Sequence, residues 1–539
     1  MNRRLTRTAW TIALLNAAGC ASQRSPLPPD AFIRDPLAPP QLPAPLPAAP
    51  LPAPPATPPT TAARPATGTL GLRDVLTSVE EHFPLLYAVE QERAIAAGQR
   101  LSAEGQFDNV LRARASEQAG TFANGRVDVS VEQPLTEGGV TTFAGWRLGG
   151  GNFPVYNGDR KTADGGEFRA GVTVPLLQNR DIDPRRARLR AAQITEQLAD
   201  PIVRRARLDY QRNAAQTYWV WEAAGAQYRV AAELATLAST RQEVFDVQLR
   251  KGQISDLAPA LNRRLVASRQ EAQLAAERQV QQAALRLSLF LRGPEGDPVV
   301  PPADTLIPDF LALEPPAPDP TQLQADVTGA LARRPELARF QLEKERRAVE
   351  LKLATNQELP TLNLFAGVSQ DAGFAKKTFT GDGPFTTDRT AAEAGASFEV
   401  PLPRRDARGR VRTAQAQLAQ LLAQERFARD EIVTQVQDAV SELTLTYARL
   451  GRARVERREA QNVLDIETVR FVGKQTTLFE LNLQEVAAAE ARVRVVAALG
   501  QYFAAVANYQ AALGLDATQP GVAGGVLPRT EPTAGAKPE

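Results

Sequence analysis

The sequence predicts a mixed α and β chain made of two similar halves, each joining very long helices to a few short alternating strands. Three observations lead there. A Pro-rich stretch at 294–320 divides the chain, the two flanking segments present the same signals in the same order, and each contains a heptad-like pattern far longer than a globular domain needs.

The chain starts with Arg3, Arg4 and Arg7, an apolar run from Ala9 to Leu15, and Ala17-Ala18-Gly19 before Cys20. This is the form of an export signal, which sets residues 1–19 apart as a leader. Cys20 is the only cysteine in the chain and sits where bacterial lipoprotein signals, which the segment resembles, place the residue to be acylated with palmitate. The other readings of Cys20 are an uncleaved leader and a free thiol. Residues 20–69 are rich in Pro, Ala and Thr, a composition of polyproline II or of plain disorder, and suit a tether.

The first half, 70–293, opens on a helical pattern around His82-Phe83-Pro84-Leu85, and the second, 321–514, opens on Arg334-Pro335-Glu336-Leu337. Alternating segments follow. Val127, Val129 and Val131 alternate with Asp128, Ser130 and Glu132, and Phe168, Ala170, Val172 and Val174 with Arg169, Gly171 and Thr173. In the second half Leu362, Leu364, Ala366 and Val368 recur at every other position, as do Ala396, Phe398 and Val400. A period of two gives a strand one apolar and one polar face. Both regions end alike, at Val174-Pro175-Leu176 and Val400-Pro401-Leu402, and each passes into an Arg-rich helix start.

The helices that follow run over roughly 185–249 and 408–470, about 95 Å each at about 1.5 Å per residue. In the second, Val411, Ala414, Leu418, Leu421, Ile432, Val436, Ala439, Leu443, Tyr447 and Leu450 step by threes and fours, a coiled-coil face. Each helix breaks at a glycine, Gly252 or Gly473, where a left-handed residue can end it, and a return helix follows. Two antiparallel helical hairpins result. Residues 515–539 form a Gly- and Pro-containing flexible tail.

Composition excludes several classes. The 63 Lys and Arg are balanced by 61 Asp and Glu, a net charge of +2, so no field points to nucleic acid. One Cys and one His exclude an internal disulfide and a His/Cys metal cluster. No nucleophile–base constellation emerges, and Gly149-Gly150-Gly151 and Gly165-Gly166 lack the Lys-Ser/Thr of a phosphate loop. The expectation is no enzyme, no catalytic residue, no metal and no cofactor. Beyond the leader no apolar run of about 18 residues occurs, so a membrane crossing would need a closed β-barrel.

Over about 70–514 this order of motifs resembles the TolC-like family of outer-membrane efflux proteins, the outer membrane factors, in their lipoprotein form. The motifs are the Pro-Leu strand ends, the tips Gly252-x-x-Ser255 and Gly473-x-x-Thr476, each followed by Leu257 or Leu478, and Tyr218-Trp219. The resemblance implies a transmembrane β-barrel shared by a homotrimer, about four strands from each subunit and 12 in all, continued by a long α-helical coiled-coil barrel with an internal two-fold repeat. It implies a passive export conduit in the cell outer membrane, lipid-anchored and extending into the periplasm. Its partners would be a periplasmic adaptor (membrane fusion protein), an inner-membrane pump of RND or ABC type, and outer-membrane lipid. It would serve a tripartite efflux or a type I secretion system. A periplasmic structural coiled-coil lipoprotein without channel activity is the alternative.

Gly252, Ser255, Gly473 and Thr476 are then candidates for adaptor contact, against a role for the glycines in turn geometry alone. Arg250, Lys251, Asp256, Lys474, Gln475, Glu480 and Asn482 are candidates for a periplasmic gate, against plain solvated charge. Two departures stand out. The first β region, 106–175, has room for an added hairpin around Pro134 to Gly151, and the stretch after the second tip, Leu478-Phe-Glu-Leu-Asn482, lacks the acidic pair of the family. Phe143, Trp146, Phe153, Tyr156, Phe168, Phe365, Phe374, Phe379 and Phe385 suit an interfacial girdle or the core of a soluble sheet.

Overall fold

The structure is a computed structural model that describes residues 68–154, 161–373 and 390–518. Cys20, the tether, Tyr156, Phe374, Phe379, Phe385 and the tail beyond 518 lie outside the described residues.

Two short helices, α1 (Leu72–His82) and α2 (Pro84–Glu104), lead into four strands, β1 (Val110–Gln118), β2 (Asn124–Pro134), β3 (Thr141–Gly151) and β4 (Glu167–Pro175). The 67-residue α3 (Pro184–Arg250) and α4 (Leu257–Leu287) form the first hairpin. The order then resumes with α5 (Leu323–Arg333), α6 (Pro335–Asn356), β5 (Thr361–Asp371), β6 (Thr390–Glu399), the 68-residue α7 (Arg405–Val472) and α8 (Leu478–Ala512). Pro84 and Pro335 each occupy a first helical position behind an extended residue, Phe83 or Arg334. A proline there gives up an N–H that no helix would use, and its fixed φ sets the new helix at an angle to the old.

The strands form one antiparallel sheet in chain order, β1 to β6. The resemblance implies about four strands per chain, and the described residues hold six. The surplus is a hairpin in the long first region. β1 has a weak apolar set (Leu111, Ala113, Ala115) and β3 is glycine-rich, so neither announces itself by alternation.

The register brings most apolar residues of the six strands to one face: Leu111 beside Val131, Val129 beside Trp146, Trp146 beside Phe168, Ala170 beside Val368, and Ala366 beside Ala394. Leu111, Phe168, Val368 and Phe398 stand exposed there, more than half of each side chain open. The opposite face is polar and laced by Arg–carboxylate pairs: Arg112 with Glu132, Arg147 with Glu167, and Asp128 with both Arg126 (2.5 Å) and Arg169 (3.3 Å). Phe143 and Phe365, expected in a girdle, lie on this polar face across Gly171 and Gly395, where any added Cβ would strike their rings. They cover backbone that glycine leaves bare.

Where the strands give way to α3, Asp183 caps the helix by accepting from the backbone N–H groups of Arg185 (2.8 Å) and Arg186 (3.0 Å), with Pro184 first in the helix. The Arg186 guanidinium returns to Asp183 at 2.7 Å and donates to the Asn179 carbonyl at 2.5 Å, fixing the turn.

Midway along α3 lies the main core. Trp219 stacks on Phe503 of α8, rings 4.0 Å apart and 13° from parallel, with Trp221, Tyr218, Tyr502 and Phe310 buried around them. Each contributes roughly 2–3 kcal/mol through area removed from water. The Pro-rich stretch between the halves is part of this core, with Leu306, Phe310 and Leu313 buried in it. It is strapped to one face of α3. The Glu222 carboxylate accepts from the Ile307 N–H at 3.1 Å, Gly225 leaves room for the Leu306 side chain, and Arg229 donates to the carbonyls of Ile307 and Pro308. Burial pushes the Glu222 carboxyl up to about 7, against the pull of the Ile307 N–H. Residues 515–518 are also docked, Gln211 donating to Asp516 at 2.8 Å and accepting from the Ala517 N–H at 3.1 Å.

Candidate functional site

The candidate residues gather at two helical tips. At the first, α3 ends at Arg250 and Gly252 takes a left-handed conformation (φ +67°), so that its N–H reaches the Leu249 carbonyl and that of Gln253 the Gln248 carbonyl. Beyond its own chain neighbours, nothing lies within 4 Å of where a Gly252 Cβ would sit. Glycine is needed here for its backbone. The second tip differs. Gly473 has an ordinary φ of −73°, and the left-handed residue is Lys474 (φ +59°), with the Gln475 N–H closing on the Arg470 carbonyl at 2.8 Å. Turn geometry therefore accounts for Gly252 and leaves Gly473 without a backbone reason.

The gate candidates divide into two sets. Arg250, Lys251, Asp256, Lys474 and Gln475 are exposed at the tips, as are Gly252, Ser255 and Gly473. Glu480 and Asn482 are engaged in structure. Thr477 caps α8 and Glu480 closes a capping box on it, the Thr477 N–H donating to the Glu480 carboxylate at 3.1 Å. The Thr476 hydroxyl at 2.5 Å, with further bonds from Thr477, holds the Glu480 carboxyl below its usual range. Thr476 also meets Glu467, which pairs with Arg470 at 2.9 Å.

Asn482 leads to a group that the sequence reading did not single out. Its side-chain oxygen accepts from Arg269 of α4 at 2.7 Å, and Arg269 pairs with the buried Glu485 of α8 at 2.5 Å. Arg241 of α3 closes on the other oxygen of Glu485. Below them Asn262 is wholly buried and donates to the Ala238 carbonyl (2.9 Å) and to Gln242 (3.0 Å). One carboxylate thus ties both arms of the first hairpin to the second. The signal was present in the sequence: Glu485 falls on the stripe Leu478, Leu481, Glu485, Ala488, a charge at a core position.

Chemically the arrangement offers contacts and a latch. No group of three or more His, Cys, Asp or Glu among the described residues is placed to hold a metal. Among them, too, no helix is long and apolar enough to cross a membrane.

Residues 327–515 match the family model described as outer membrane efflux protein. No curated protein matches the chain. In fold the chain is similar to the Campylobacter jejuni CmeC outer membrane channel, with 12% identity, 82% of this chain and 85% of that one covered, and a TM-score of 0.57. It is similar also to the outer membrane protein VceC from Vibrio cholerae (16% identity, 82% and 96% covered, TM-score 0.57). A third is the open state of the Neisseria gonorrhoeae MtrE outer membrane channel (14% identity, 83% and 91% covered, TM-score 0.56). The match and the likeness in fold agree: residues 327–515 carry the pattern described as outer membrane efflux protein, and the chain has the fold of these outer membrane channels.

Proposed function

We propose that the chain is one subunit of a trimeric outer-membrane channel serving a tripartite efflux or type I secretion system, a passive conduit and not an enzyme. The observation that carries this is the six-stranded sheet whose one face is apolar from edge to edge and open at Leu111, Phe168, Val368 and Phe398, joined directly to two long helical hairpins. A sheet of this size does not close alone, and in lipid its open edges would each leave backbone groups unpaired at several kcal/mol. Sharing strands among copies removes that cost. A periplasmic coiled-coil lipoprotein without channel activity would account for the helices and leave this apolar face without a use.

In this reading 70–293 and 321–514 are two copies of one efflux repeat, Cys20 carries the lipid behind leader 1–19, and 20–69 tethers it to the body. The hairpins line a periplasmic tunnel. Gly473, Gly252, Ser255 and Thr476 meet a periplasmic adaptor, whose inner-membrane pump, RND or ABC in type, supplies the energy. The latch formed by Glu485, Arg241, Arg269 and Asn482 holds the hairpins together at the closed end, and the exposed Arg250, Lys251, Asp256, Lys474 and Gln475 tune ion passage there.

Purified trimer in a planar bilayer tests the channel, with stepwise conductance expected. A detergent-stable trimer without conductance would sink it. Adaptor contact has its own test, since Gly473→Leu adds bulk at an exposed site without backbone strain. Adaptor binding should fall while trimer stability stays, and unchanged binding removes Gly473 from the contact.

A further inference from the structure

We propose that β1 of one copy pairs with β6 of the next, so that the barrel of the trimer contains 18 strands, six from each chain, in place of the 12 implied by the resemblance. This rests on the channel reading above and concerns which edge of the subunit meets its neighbour.

The first argument is the ladder. A barrel of 12 strands would have to leave the β1–β2 hairpin out and pair β6 of the next copy with the free edge of β3. That edge is taken: β2 and β3 pair without interruption from Asn124 beside Gly151 to Pro134 beside Thr141. Freeing it would break the whole ladder and strand two more edges in hydrocarbon.

Direction comes next. Consecutive strands are antiparallel and even in number, so β1 and β6 run in opposite senses, and adding β1 of a second copy to β6 continues the same antiparallel meander.

The faces agree as well. The apolar face reaches both edges, as Leu111, Ala113 and Ala115 on β1 and Ala392, Ala394, Ala396 and Phe398 on β6. Pairing in the matching parity makes that face continuous around the ring. On the polar face the edges carry opposite charge, Arg112 and Arg114 on β1 and Glu393 and Glu399 on β6. Inside the sheet, strands are already linked by Arg–carboxylate pairs on this face, and the proposed seam extends that pattern. Because barrel diameter grows roughly linearly with strand number, the lumen would be about half again as wide as that of a 12-stranded barrel.

Paired cysteines in the full-length chain test the seam. Ala113→Cys is combined in turn with Ala392→Cys, Ala394→Cys and Ala396→Cys, and mild oxidation in outer membranes is followed by denaturing electrophoresis. β1 and β6 of one chain lie on opposite edges of the sheet, so any crosslink joins two copies. At least one combination should shift the monomer band to covalent trimer, with none in the single variants. Ala144→Cys on β3 with the same three partners is the counter-test. A trimer band from that set overturns the proposal and leaves the channel standing, whereas absence of any trimer in the membrane overturns both. Where a trimer forms and neither set crosslinks, strands are counted in an electron cryomicroscopy map of it in nanodiscs. A count of 18 supports the proposal and any other overturns it.

Discussion

α3 and α8 meet twice, and the two meetings are built of opposite materials. At the root they close through aromatic faces, Trp219 on Phe503 with Tyr502 and Phe310 around them. Toward the tip they close through ions, Glu485 held between Arg241 and Arg269. Dry aromatic packing has no second partner to accept, so separating it costs its full burial. A buried carboxylate between two guanidiniums is different, because its attraction is largely offset by lost hydration and water can take over each bond once the helices part. The difference teaches where the hairpins can move. The root is a clamp and the tip a latch.

Four changes probe that contrast, and a fifth test compares the two tips. Trp219→Ala should cost most, about 4 kcal/mol from lost burial and a cavity, read as a fall in the denaturation midpoint together with loss of trimer. Glu485→Ala should cost about 3 kcal/mol by leaving Arg241 and Arg269 buried without their anion, and should show as raised leak conductance with the trimer intact. If trimer is lost as with Trp219→Ala, the latch is a clamp too. The contrast sharpens further when Arg241→Met, Arg269→Met and Glu485→Leu are combined, since a dry tip should recover stability and conduct less than the native channel.

Glu222→Gln tests the root through pH. The folded carboxyl titrates at about 7 against an ordinary 4.5, so the fold binds that proton more tightly than the unfolded chain. Stability from this group is therefore greatest below about 4.5, falls as pH rises to about 7 and is level above it. The glutamine variant should match the native protein near pH 4.5 and exceed it at pH 8 by on the order of 2–3 kcal/mol, measured by thermal denaturation. Smallest is the pair Gly252→Ala and Gly473→Ala. The first should cost about 1 kcal/mol because its φ is positive, the second close to nothing. Equal costs would refute the difference between the tips.

Much of this was legible in the sequence. The long helices end within two residues of the glycines at which the sequence breaks them, α3 at Arg250 before Gly252 and α7 at Val472 before Gly473. β2, β4, β5 and β6 are legible by their alternation at period two. β1 and β3 are not, since Ala113, Ala115 and the glycines of β3 contribute little hydrophobic contrast, and their place is set by neighbouring strands. The second tip misleads because the Gly-x-x-Thr spacing suggests a glycine turn while Lys474 carries the left-handed backbone. Among the site residues, Glu480 and Asn482 drew attention as free charge and polarity, yet one is spent on a helix cap and the other on Arg269. Which polar groups are free is a property of packing, and a stripe read on one helix omits the partner helix.

The stack of Trp219 on Phe503 also bears on how the protein is made. Phe503 follows Trp219 by roughly 280 residues, and at about 5–20 residues per second that interval is on the order of tens of seconds. Throughout it the nascent chain carries an unsealed aromatic seam on α3 that only the last helix can cover. Until α8 is made the seam stays open, which makes truncation anywhere before α8 a route to aggregation.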